Sequence, residues 1–235
     1  MQKIEYRDQD VLLEAYCSHF AKSGEKKPAV LVFHAWAGRD EIACQKAEAL
    51  AALGYVGIAV DLYGKGVVGR SKEENRSLMG PLVEDRAILR QRILSAWDMA
   101  INLPFVDKEK MGAIGFCFGG LCALDLARSG APVKGVVSFH GLLEAPESLK
   151  SEKIQSRILV LHGHDDPMAT PDVVQVFEDE MTAAQVDWQV HIYSGTMHAF
   201  TNPLAHDPAF GTVYQPQADF RSWKAMKNFF EETFG

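Results

Sequence analysis

Cys117 lies in the hexapeptide Gly115-Phe116-Cys117-Phe118-Gly119-Gly120, after the apolar run Met111 to Ile114 and before the helix-forming stretch Leu121 to Arg128. Small residues around a central nucleophile, at a strand-to-helix junction, mark a nucleophile elbow: the backbones approach closely and a strained turn lifts the reactive atom above the sheet edge. Here that atom is sulfur. A helix N-terminus favours thiolate over thiol, and a neighbouring imidazole adds to the effect. The bland alternative, a core cysteine between two phenylalanines, does not account for the flanking glycines.

Two downstream segments supply partners. His198, in Ser194-Gly195-Thr196-Met197-His198-Ala199-Phe200, follows a predicted strand and can serve as general base. The acid comes from His162-Gly163-His164-Asp165-Asp166-Pro167. Asp166 is preferred because it directly precedes Pro167, whereas Asp165 is its competitor and equally a turn former. An oxyanion hole needs two backbone donors. Phe118, next to the nucleophile, supplies one; the turn His34-Ala35-Trp36-Ala37-Gly38 supplies the other, through Trp36. His34 reads as a hydrogen-bonded structural residue.

The elements that must hold these groups alternate along the chain. Lys3 to Tyr6 and Val11 to Tyr16 read as an opening antiparallel hairpin, and Ala29 to Phe33 as a strand buried on both faces. Helical spacing over Ala43 to Leu53 leads to a strand at Tyr55 to Val60, then a Gly-, Lys- and Glu-rich loop up to Gly80 and, after Pro81, a long helix through Ala100. Strands at 111–116, 135–139, 157–161 and 189–193 interleave with helices at 118–128 and 172–183, and a helix over 218–230 closes the chain. Such alternation predicts one α/β domain spanning residues 1–235, a mostly parallel sheet with helices on both faces.

Composition narrows the function. A net charge of −7, from 24 Lys and Arg against 31 Asp and Glu, disfavours nucleic acid and anionic membranes as partners. The start of the chain lacks a basic segment followed by an apolar one, so a cytoplasmic location is expected. The four cysteines show no metal spacing; Cys17, Cys44 and Cys122 read as small buried hydrophobes, and neither metal nor cofactor is expected.

Nucleophile, acid and base in this order resemble the α/β-hydrolases, and within them the dienelactone hydrolase family, which uses a Cys-Asp-His triad. The resemblance runs through His34 to Gly38, Asp61-Leu62-Tyr63-Gly64, the elbow, the two partner segments and the tail from Tyr214 to Phe230. It implies that Cys117, Asp166 and His198 carry catalysis, with Trp36 and Phe118 as oxyanion donors, on a single α/β-hydrolase domain. Family members that open dienelactones carry a glutamate where this chain has Ala35. They also carry an arginine shortly after the histidine, where this chain has Thr201-Asn202.

A pocket with Ala35, Tyr63, Phe116, Phe200 and Asn202 in its walls, Trp36 and Phe118 beside them, is apolar and suits neutral esters or lactones. Activated aryl esters should react most readily, and neutral phosphotriesters offer a second electrophile. Arg39, Arg70 and Arg76 sit in candidate pocket-edge loops and would serve an anionic lactone instead, the carboxymethylenebutenolidase alternative. A noncatalytic thiol switch on the same fold is the other alternative. Oligomeric state is not legible.

Overall fold

The computed structural model describes residues 1–146 and 153–235. Its sheet runs in the order β1-β2-β4-β3-β5-β6-β7-β8. β1 (Gln2–Asp8) and β2 (Val11–Ser18) form the expected hairpin, and β2 also pairs antiparallel with β4 (Val56–Ala59). All further pairings are parallel: β4 with β3 (Lys27–Phe33), then β5 (Val106–Phe116), β6 (Gly135–Phe139), β7 (Arg157–Gly163) and β8 (Trp188–Tyr193). β5 starts five residues before the predicted Met111, with a register shift against β3 between Lys27 and Ala29.

The central strands are apolar on both sides because both sides are covered. Along β3, Leu31 and Phe33 face the layer of α3 (Arg86–Ile101), α4 (Phe118–Arg128) and α5 (Pro171–Ala183), whereas Val30 and Val32 face α1 (Glu41–Ala52) and α6 (Pro216–Phe234). The period of two along the strand splits the core into two layers.

One prediction fails. The expected loop before Pro81 contains a helix, α2 (Lys72–Glu84), which passes through Pro81 and is separated from α3 by Asp85. Ser71 Oγ accepts from Glu74 N at 3.1 Å, and Glu74 Oε2 accepts from Arg70 N at 2.7 Å. This reciprocal cap starts the helix. Asp85 Oδ1 then accepts from Ala87 N and Ile88 N, starting α3. Only Asn75 and Leu82 of α2 are buried.

The long segment after β8 folds back as two short paired strands, β9 (His206–Asp207) and β10 (Thr212–Val213). No helix among the described residues is long and apolar enough to cross a membrane.

Candidate active site

Cys117 occupies the junction between β5 and α4 with φ 57° and ψ −120°, a left-handed backbone that costs energy for a residue with a Cβ. Its N–H donates to Phe139 O at 3.0 Å, and its carbonyl accepts from Gly120 N at 2.8 Å. The glycines on either side make the turn possible. A Cβ on Gly115 would lie 1.8 Å from Gly119 O, and one on Gly119 would lie 2.1 Å from Phe33 O. α4 is thereby pressed against β3 and β5, and its unpaired N–H groups open beside the sulfur.

His198 is buried, and its backbone is pinned to the β9–β10 hairpin: its N–H donates to Gly211 O at 3.0 Å, and its carbonyl accepts from Val213 N at 3.1 Å. Its Nδ1 meets Asp166 Oδ2 at 2.7 Å. The other Asp166 oxygen accepts from Met168 N at 2.8 Å, so the carboxylate is held at both ends. Asp165 is exposed and contributes its backbone N–H to Thr196 O, 2.9 Å away. Burial pulls the His198 imidazole down, but the Cys117 sulfur and the Asp166 carboxylate together outweigh it, and its pKa is raised to about 10. Cys117 acts on His198 both through the charge of its sulfur and through a side-chain hydrogen-bonding contact, although Nε2 forms no bond of full hydrogen-bond geometry.

Cys117 and His198 share a cavity of about 270 Å³ with Ala35, Trp36, Phe116 and Asn202. Tyr63 and Phe200, expected in the wall, lie behind it. The Tyr63 hydroxyl donates to Trp36 O at 3.0 Å, with its ring stacked on Phe118, and burial raises its pKa strongly. Phe200 is fully buried, edge-on to His140 and Tyr193. Phe118 is itself fully buried and does not line the cavity. His34 bridges the Ala35 carbonyl and Leu62 N, and it also lines the cavity.

Of the three arginines, Arg76 on α2 lines the cavity and forms no ion pair among the described residues. Arg39 is taken by Glu14 at 2.8 Å, and Arg70 stands outside the wall. Sequence reasoning missed Met79, Leu142, Met168 and Phe210 among the apolar lining residues, and also His140. Each lies on α2, at a strand end or in the return hairpin, and none belongs to a spaced motif. Among the described residues no cluster of His, Cys, Asp and Glu has the arrangement of a metal site.

A mostly parallel eight-stranded sheet, with a cysteine elbow after β5, a buried acid after β7 and a histidine after β8, defines an α/β-hydrolase. A model of the dienelactone hydrolase family matches residues 13–234, and the chain belongs to that family as a dienelactone hydrolase-like hydrolase. A putative carboxymethylenebutenolidase of Aquifex aeolicus is 30% identical over 239 residues, covering 98% of this chain and 97% of that one. A probable 2-oxo-3-(5-oxofuran-2-ylidene)propanoate lactonase of Bradyrhizobium is 27% identical, covering 83% and 80%. Among solved structures, a dienelactone hydrolase-like promiscuous phosphotriesterase from metagenomic libraries superposes with a TM-score of 0.94 at 37% identity, over 100% of this chain and 98% of that one.

Proposed function

We propose that the protein hydrolyses carboxylic esters and lactones through a covalent thioester on Cys117. The observation that carries this reading is the buried 2.7 Å contact between His198 and Asp166 beside a cavity that also contains Cys117. The thiolate attacks the acyl carbon, forming a C–S bond, and the N–H groups of Trp36 and Phe118 receive the negative oxygen. Collapse breaks the C–O bond, and the leaving alkoxide takes a proton from the His198 imidazolium. Water, deprotonated by His198, then cleaves the thioester and releases acid and thiol. Asp166 keeps the imidazole in one tautomer and orientation throughout.

The apolar lining favours neutral acyl groups, and aryl esters react fastest because a thiolate expels a poor base most easily. A second reading, attack on the phosphorus of neutral triesters, is favoured by the phosphotriesterase likeness and by the same apolar lining. The protein acts in the cytoplasm and needs no cofactor.

Hydrolysis of p-nitrophenyl butyrate and of a p-nitrophenyl dialkyl phosphate by wild type, Cys117→Ala and His198→Ala tests both readings. Loss of the p-nitrophenol burst in both variants, and in iodoacetamide-treated wild type, is expected. Equal rates in all three proteins would remove the catalytic assignment and leave the thiol-switch alternative.

A further inference from the structure

We infer that His140 is a positioning residue for His198, an inference that rests on the catalytic reading above. His140 directly follows β6, the neighbour of the strand that leads into Cys117. It lines the same cavity while being 98% buried, with a relative exposure of 2%. Its contacts fall on the loop that carries the base. Nε2 shares a hydrogen bond with Thr201 Oγ1 at 2.8 Å, and the ring stands edge-on to His198 at 5.1 Å between centroids and to Phe200 at 5.0 Å.

Asp166 holds His198 at a single nitrogen, which fixes the tautomer but leaves the ring free to swing about that contact. The His140–Thr201 hydrogen bond anchors the loop that carries His198 to the end of β6, so the imidazole keeps its place and Nε2 stays directed at the sulfur. Thr201, three residues beyond His198, ties the two rings into one unit.

A space-filling role accounts for less. His140 has φ 39°, a left-handed backbone unusual for a residue other than glycine, and strain at a buried side chain persists where the surroundings impose it. Its N–H is fixed to Leu161 O at 2.9 Å, and the chain just beyond is crowded, since a Cβ on Gly141 would lie 2.1 Å from Ser138 Oγ. Nδ1 meets no partner among the described residues beyond its own backbone, a desolvation cost that a phenylalanine of similar volume would avoid. The charged and titratable groups around it are His198, Lys46 and His162. Burial first and the His198 charge second push His140 well below the ordinary imidazole range, so a neutral ring sits beside His198 and does not repel its proton.

The test compares His140→Phe, His140→Gln and Thr201→Val with wild type on p-nitrophenyl butyrate, with thermal melting to establish folding. His140→Phe keeps the ring and loses the bond; kcat should fall roughly 10- to 100-fold, with KM within about threefold, as displaced catalytic groups do. His140→Gln, whose amide reaches Thr201, should recover most of that loss, and Thr201→Val combined with His140→Phe should add little to His140→Phe alone. A folded His140→Phe enzyme with wild-type kcat, or one changed only in KM, overturns the proposal. If His140→Phe does not fold, wild-type kcat in Thr201→Val overturns it instead. Full activity in Cys117→Ala and His198→Ala would reject the catalytic reading itself; inactivity of those two with an unaffected His140→Phe rejects only the role of His140.

Discussion

Gly119 stands so close to Phe33 that a methyl group on it would lie 2.1 Å from the Phe33 carbonyl oxygen. The contact belongs to backbone, which cannot rotate away as a side chain would. Gly119→Ala must therefore push α4 off β3 and carry Cys117 with it. The expected cost is about 1–3 kcal/mol in urea unfolding, with a fall in kcat disproportionate to that loss. Unchanged burst kinetics in a folded Gly119→Ala enzyme would show that the elbow tolerates displacement.

Asp166→Asn keeps the shape of the acid and presents an amide to His198 Nδ1, which then favours the wrong tautomer. The loss in kcat should be on the order of 10³- to 10⁴-fold. Asp165→Asn, at an exposed position without contact to His198, should stay near wild type in the same assay.

Cys117 is the strongest of the influences that raise the His198 pKa. The imidazole's folded pKa, about 10, lies above the ordinary imidazole value of 6.5, so the stability it contributes is whole below about 6.5 and is lost as pH rises through about 10. Cys117→Ala removes the strongest favourable influence and should move the ring's NMR titration downward. An unmoved titration would mean that sulfur and imidazole are uncoupled.

Arg76 is a cation in the cavity wall without an ion-pair partner among the described residues. Arg76→Gln should leave neutral aryl esters within about twofold and lower kcat/KM for a carboxylate-bearing lactone by roughly tenfold, the worth of one charge-assisted hydrogen bond. A panel of paired neutral and anionic lactones reads out both, and a preference of the wild type for the anionic members would favour the carboxymethylenebutenolidase alternative.

Arg128, with no exposed surface, bonds Asp125 on its own helix, Glu180 on α5 at 2.6 Å and the Leu143 carbonyl at 2.8 Å. Asp125 also takes Arg86 of α3 at 2.7 Å. α4, α5 and the segment that bears Leu142 thus meet at one guanidinium, and α3 joins them through Asp125. Arg128→Ala leaves Asp125 to Arg86 alone, strands the buried Leu143 carbonyl and empties the space of a fully buried side chain, and should cost about 2–4 kcal/mol by denaturant unfolding.

The parallel strands and α4 were legible because continuous apolar runs such as Ala29 to Phe33 have one economical use, and because the elbow glycines mark where strand becomes helix. α2 was not, since Gly80 and Pro81 read as a break although Ser71 and Glu74 already signalled a cap. Sequence proximity to a motif placed Tyr63 and Phe200 in the pocket, whereas side-chain direction decided otherwise: each turns away from the opening to pack against a neighbouring ring. His140 left no trace at all. Its partners are Thr201 and His198, far along the chain, and only the β6–β7–β8 stack brings them beside it.

α2 contributes Arg76 and Met79 to the cavity yet buries only Asn75 and Leu82, and its first residue, Lys72, reaches across to Asp207 and the Phe210 ring. The panel that meets the ligand is therefore fastened at its margins and barely rooted in the interior. Arg76 and Met79 can thus be exchanged at small energetic penalty while the sulfur and its two partners stay where the sheet puts them, which leaves this margin of the cavity free to change without loosening the fold.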